Sequence, residues 1–125
     1  MFREIDYASE ETRRTGANLE SMYIGGGTPT SLQADSLRRL LKKISGSFDI
    51  KALKEFTVEA GRPDTITEEK LYTMKEAGVD RISINPQSMN EKTLKIIGRS
   101  HTAEDIERAF DMAKKAGFDT INADL

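Results

Sequence analysis

Met22-Tyr23-Ile24-Gly25-Gly26-Gly27-Thr28-Pro29-Thr30 carries the sharpest structural signal in the chain. Residues suited to a pleated strand run straight into a glycine triplet, a threonine and a proline. The stretch predicts a strand that ends in a tight loop with exposed backbone. Glycine lets main-chain amides approach a ligand with no Cβ in the way, Thr28 adds a hydroxyl, and Pro29 stiffens the exit. Such a loop suits a carboxylate or phosphate. It lacks the lysine of a G-x-x-x-x-G-K-[ST] phosphate loop and the spacing of the G-x-G-x-x-G dinucleotide fingerprint. A tight turn that holds no ligand fits the triplet equally well.

The strand-then-loop pattern recurs on the C-terminal side. Phe56-Thr57-Val58 runs into Glu59-Ala60-Gly61-Arg62-Pro63, Arg81-Ile82-Ser83-Ile84 into Asn85-Pro86-Gln87, and Thr120-Ile121-Asn122 toward Asp124. Helical patterns lie between them. Leu37, Leu40, Leu41 and Ile44 fall at i, i+3, i+4 and i+7, which predicts a helix over about residues 33 to 45 with Gly46 as its stop. Thr67 before Glu68 and Glu69 opens a second helix, bearing Leu71, Met74 and Ala77 before Gly78. Asn90 caps a short helix ended by Gly98, and Thr102 with Asp105 forms a capping box for a longer one ended by Gly117. Met74, Met89 and Met112 read as core fillers, and Lys42-Lys43 and Lys114-Lys115 as solvated helix faces. Residues 1–18 form a lead-in where Ile5, Ala8 and Thr12 are in weak register, so that a helix and an irregular segment both remain open. Residues 19–125 carry the βα repeats.

Repeating βα units predict an α/β fold with a parallel sheet, either doubly wound or part of a (β/α)8 barrel. A full barrel needs ~250 residues, so these repeats amount to about half of one. The chain stops at the strand tip Asn122-Ala123-Asp124-Leu125 with no helix to cover it. Residues 1–125 are therefore expected to be a single internal piece of one domain.

In parallel α/β folds, ligands bind beyond the carboxyl ends of the strands. Glu59 there could bind an ammonium group or ribose hydroxyls, Gln87 a ribose or adenine edge, and Asp124 a diol. Arg99, in Gly98-Arg99-Ser100-His101-Thr102, could clamp a carboxylate with its planar fork. Each also has a plain reading, as a solvated or ion-paired side chain, a turn cap or a chain end, and His101 reads as a solvated loop histidine.

Composition excludes several classes of function. The 125 residues include 19 Lys and Arg against 21 Asp and Glu, giving a net charge of −2, interspersed along the chain. Nucleic acid and anionic membrane are not expected partners. No apolar run is long enough to span a bilayer and no signal peptide opens the chain, so a cytoplasmic protein is expected. With no cysteine and one histidine, thiolate nucleophiles, thiolate metal sites and multi-histidine metal sites are ruled out within these residues.

The string Tyr23 to Leu32, then Phe56 to Glu59, Gly78 to Ile84 with Gln87, Gly98 to His101, and Ile121 to Leu125, resembles the radical S-adenosylmethionine (SAM) core of oxygen-independent coproporphyrinogen III oxidases. Glu59-Ala60-Gly61-Arg62-Pro63-Asp64 and Asn85-Pro86-Gln87-Ser88-Met89-Asn90 resemble especially the HemZ-like coproporphyrinogen dehydrogenases. The resemblance implies a partial TIM-type barrel with SAM across the strand tips. Gly26, Gly27 and Thr28 would hold the methionine part, Glu59 a polar group of SAM, and Gln87, Arg99 and Asp124 ribose or carboxylate groups. It also implies a porphyrinogen substrate and a [4Fe-4S] cluster that splits SAM to a deoxyadenosyl radical. That radical starts oxidative decarboxylation of coproporphyrinogen III to protoporphyrinogen IX in haem biosynthesis. The family's C-x-x-x-C-x-x-C triplet would lie upstream of Met1, and cluster ligation requires thiolates. The isolated chain is therefore expected to be inactive. Two alternatives stand beside this one, a related haem chaperone of the HemW type and a half-barrel scaffold without ligand. Open sheet edges further imply homodimerisation.

Overall fold

A computed structural model describes residues 1–124. The lead-in forms a helix, α1 (Phe2–Thr15), and three βα repeats and a fourth strand follow it. Their elements are β1 (Ser21–Ile24), α2 (Ala34–Ser47), β2 (Glu55–Glu59), α3 (Glu68–Glu76), β3 (Arg81–Ile84), α4 (Glu91–Ile96), α5 (Ala103–Lys115) and β4 (Thr120–Ala123). Short 3-10 turns at Pro29–Ser31 and Pro63–Thr65 begin the connections after β1 and β2.

All strand pairs are parallel, and the sheet order β1-β2-β3-β4 is the chain order. A doubly wound sheet reverses direction at a switch point, and this one does not. The helices pack in the same sequence, α1 on α2, α2 on α3 and α3 on α5, as one outer layer. This is a barrel arc, and the alternative that the sequence left open is closed.

Register explains the two faces of the sheet. Met22, Phe56, Val58, Ala60, Ile82, Ile84 and Ile121 pack with Leu37, Leu41, Leu71, Met74, Ala109 and Ala113 of the helices in one hydrophobic core. Full burial of each larger side chain contributes about 1.5–3 kcal/mol. The alternate positions carry Ser21 and Tyr23, Glu55, Thr57 and Glu59, Arg81 and Ser83, and Thr120 and Asn122. Buried parallel sheets are normally apolar on both faces. Here the concave face is polar, with Arg81 paired to Glu55 at 2.7 Å and donating to Asn122 Oδ1 at 3.2 Å.

Several local expectations are corrected. Gly46 does not stop α2, which continues through Ser47, and the chain leaves the helix at the extended, partly buried Phe48. Burial of the Phe48 ring outweighs the roughly 0.5–1 kcal/mol that an internal glycine costs. Met89, expected in the core, is exposed. It sits beyond β3 and lines an open groove with Phe110. Lys43 is only partly solvated, because its ammonium pairs with Asp6 of α1. The caps behave as read. Thr67 accepts from the Lys70 amide, Asn90 from the Lys92 and Thr93 amides, and Thr102 and Asp105 make both halves of a capping box.

Candidate functional site

The strand tips place the candidate residues along one rim. β1 delivers the glycine loop. Gly26 has φ +104°, and Thr28 occupies the left-handed region at φ 42°, ψ 86°. A non-glycine residue there costs on the order of 1–3 kcal/mol and is held by its surroundings. The Thr28 amide donates to the Gly26 carbonyl at 3.0 Å, and the Ser31 amide and hydroxyl donate to the Thr28 carbonyl at 2.9 and 2.7 Å.

Behind the rim, the loops after β1 and β2 are tied together. The Thr65 hydroxyl donates to the Arg62 carbonyl at 2.7 Å, so its single proton is committed. The fully buried Thr30 hydroxyl, 2.6 Å away, must then be the donor between the two threonines. Lys70 of α3 extends its ammonium to the Thr30 and Thr65 carbonyls at 2.6 and 2.9 Å. Sequence reading assigned Lys70 no role. It became visible only once α3 was laid against both loops.

Glu59, at the end of β2, sits at the mouth of the glycine loop. A Cβ on Gly25 would lie 2.4 Å from Tyr23 Cε1 and 3.0 Å from Glu59 Oε2, and one on Gly61 would lie 3.0 Å from Glu59 Oε1. The carboxylate thus fits into a notch that only glycine leaves open on both sides. The Tyr23 phenol donates to Glu59 Oε2 at 3.1 Å, and Asn85 Nδ2 donates to Glu59 Oε1 at 3.4 Å. Ser83 Oγ donates to Asn85 Oδ1 at 2.8 Å, which turns the Asn85 amide nitrogen toward the carboxylate. Desolvation first, then the bond to Glu59 and the negative charges of Glu59 and Asp124, push the Tyr23 phenol above its ordinary pKa. Both carboxylates therefore act on the same region.

Gln87, exposed and at φ 69°, donates its amide to the Asp124 carbonyl at 3.1 Å. This links the β3 loop to the end of β4. The Asp124 carboxylate accepts a bond from Asn122 Nδ2 at 3.4 Å. Arg99 is brought to none of these groups. Its amide bonds to the Leu94 carbonyl at 2.8 Å, and its guanidinium makes no hydrogen bond or ion pair with another described residue. His101 corrects the solvated reading. It is buried, with Nε2 3.2 Å from the Pro86 carbonyl, because the left-handed turn at Gly98 and the Thr102 cap fold the segment under the β3 loop. Leu125, part of the last quoted motif, lies outside the described residues.

Sequence reading missed Tyr23, Ser83 and Asn85 as site residues. Their signal was the period-two run of polar residues in otherwise apolar strands, Tyr23, then Thr57 and Glu59, then Arg81, Ser83 and Asn85.

The donor set fits SAM, with amides and a hydroxyl for a carboxylate, and carboxylates for an ammonium and a diol. It does not fit an iron–sulfur cluster, since these residues contain no cysteine. Among the described residues no group of His, Cys, Asp and Glu side chains is arranged to hold a metal ion, and no helix is long and apolar enough to cross a membrane.

Comparison with known proteins assigns the chain to a family. Residues 2–125 match the Radical SAM superfamily. The chain is 45% identical over 123 residues to the oxygen-independent coproporphyrinogen-III oxidase-like protein HemZ of Bacillus subtilis, covering 98% of this chain and 25% of that protein. It is also 43% identical over 107 residues to the heme chaperone HemW of Lactococcus lactis, covering 86% of this chain and 28% of that one. The chain thus spans about a quarter of the length of these curated relatives. Coproporphyrinogen III oxidase (HemN) from Escherichia coli, a radical SAM enzyme, superposes with a TM-score of 0.76 at 23% identity, over 98% of this chain and 29% of that one, a likeness of fold. With its family match, its parallel barrel arc and its glycine-loop rim, the chain belongs to the radical SAM superfamily.

Proposed function

We propose that these residues form the SAM-binding arc of a longer radical SAM protein that oxidatively decarboxylates coproporphyrinogen III to protoporphyrinogen IX. The observation that carries the SAM assignment is the Glu59 carboxylate lodged between Gly25 and Gly61 beside the glycine loop. In this reading the amides of Gly26 and Gly27 and the Thr28 hydroxyl bind the methionine carboxylate, and Glu59 accepts from its ammonium. Gln87 and Asp124, joined through the backbone, take the ribose hydroxyls. Arg99, whose guanidinium has no described partner, is available to a second carboxylate.

SAM supplies the radical chemistry when it is bound beside a reduced cluster, and the protein supplies binding and orientation. The cluster itself must be held by thiolates outside these residues. Titrating the chain with SAM in a calorimeter tests the assignment. Saturable heat is expected, and no heat at high SAM concentration leaves the ligand-free scaffold. Reconstitution of these residues with iron, sulfide and reductant is expected to yield no deoxyadenosine from SAM.

The oxidase assignment draws support from the HemZ relative and from the Glu59–Asp64 and Asn85–Asn90 strings. Similarity of nearly the same degree to a heme chaperone favours a second reading, haem binding and delivery. Haem titration and porphyrinogen turnover, both measured on the longer protein, separate them. Turnover without haem binding supports the oxidase, and haem binding without turnover overturns it.

A further inference from the structure

Among the rim side chains, Glu59 is held at both of its oxygens. Tyr23 donates to one and Asn85 to the other. Asn85 is itself set by the buried Ser83, whose hydroxyl donates to its amide oxygen at 2.8 Å. A row of hydrogen bonds therefore runs from inside the sheet to the rim, Ser83 to Asn85 to Glu59, with Tyr23 closing it from β1. The row crosses β3, β2 and β1. A carboxylate has about four acceptor positions, and this row occupies two of them. The others remain for a ligand.

The packing around the carboxylate points the same way. Cβ atoms on Gly25 and Gly61 would approach the two Glu59 oxygens to 3.0 Å each. Tyr23 contributes little to the core, being 58% exposed. What its phenol does contact is Glu59. A tyrosine kept on a concave face for a single bond to a carboxylate orients that carboxylate more than it stabilises the fold.

We infer that Tyr23 and Asn85 are positioning residues that fix Glu59 as the acceptor for a primary ammonium, and so make the rim select adenosyl ligands that carry the amino-acid end over those that do not. This rests on the SAM assignment above. Neither residue touches the ligand in this role. Each acts through Glu59, by limiting its rotation and by turning free lone pairs toward the glycine loop.

Calorimetry on the chain with three probes tests the inference. SAM carries ammonium and sulfonium, S-adenosylhomocysteine keeps only the ammonium, and methylthioadenosine has neither. Tyr23→Phe and Asn85→Ala are each expected to weaken SAM and S-adenosylhomocysteine roughly tenfold, with methylthioadenosine unchanged. Tyr72→Phe, an exposed tyrosine on α3, is expected to change none of the three. Equal losses on all three probes, or no loss on SAM, overturn the inference.

A second measurement does not depend on ligand or on the stability of the Asn85 variant. The Tyr23 phenol is followed by the absorbance difference between the unaltered chain and Tyr23→Phe. It is expected to titrate above the ordinary tyrosine range, first from desolvation and then from Glu59, and to move part of the way back in Glu59→Gln. A titration that Glu59→Gln leaves unmoved overturns the inference. If the unaltered chain binds no SAM, the SAM assignment fails, and the phenol titration alone decides whether Tyr23 holds Glu59.

Discussion

Replacing Gly27 with alanine separates what the glycine loop does for the fold from what it does for a ligand. No atom lies within 4 Å of where the added methyl would sit, and the Gly27 φ is outside the left-handed range. The folded chain accepts the methyl without strain, while the unfolded chain loses freedom. Such a change stabilises by about 0.4–1 kcal/mol, a rise in Tm of roughly 2–4 °C for a domain of this size. If the loop amides clasp the methionine part of SAM, the same methyl stands in the ligand's contact surface. Binding should then weaken at least tenfold, about 1.4 kcal/mol. Gly26→Ala provides the contrast. Its methyl also meets open space, but φ is +104°, so alanine costs on the order of 1–3 kcal/mol of stability with or without ligand. Thermal melts and SAM calorimetry on both variants read the two effects. A Gly27→Ala chain that is no less stable and binds SAM as tightly as the original refutes the amide cradle. A Gly26→Ala chain as stable as Gly27→Ala refutes the loop geometry.

Other expectations follow from particular contacts. Lys70→Met removes the ammonium shared by the Thr30 and Thr65 carbonyls and should cost about 1–3 kcal/mol in denaturant unfolding and weaken SAM binding. An unchanged midpoint counts against the tie. His101→Leu keeps roughly the buried volume but leaves the Pro86 carbonyl without its partner, a loss of about 1–3 kcal/mol by the same assay. The capping-box amide of Thr102 and the Thr57 hydroxyl, each the leading cause, hold the carboxyls of Asp105 and Glu55 below their ordinary pKa. A depressed folded pKa gives stability above the unfolded value that is lost as pH falls through the folded one. Melts should therefore fall off in acid below about pH 4, and Asp105→Asn should flatten that limb. We propose that the exposed edges at β1 and β4 pair between copies, giving a concentration-dependent dimer by light scattering. A monomer at every concentration tested removes this proposal.

The first three strands were legible because each combines β-branched or aromatic residues with a glycine or proline just beyond it, as at Ile24-Gly25 and Asn85-Pro86. Helix starts were legible for a similar local reason, since Thr67, Asn90 and Thr102 bond to amides a few residues away. Legibility stopped where partners are distant in sequence. His101 bonds to Pro86, Lys70 to Thr30, and Tyr23 to Glu59. Each pairing depends on strand register and on how neighbouring loops stack, and no local pattern encodes that. The end of α2 was misread for the same reason, because a tertiary contact of Phe48 outweighed the propensity of Gly46. Whether the repeats wind singly or doubly was likewise absent from the residues and present in the sheet order.

That order, with every strand beside its predecessor, also bears on how the chain comes to be made. As synthesis proceeds, each strand after β1 finds one partner strand already made. The arc can lengthen from the N-terminal end once β1 and β2 have paired. Its leading edge is then a growth front that passes from strand to strand. The bonding groups that welcome the next repeat are the ones left open whenever growth pauses.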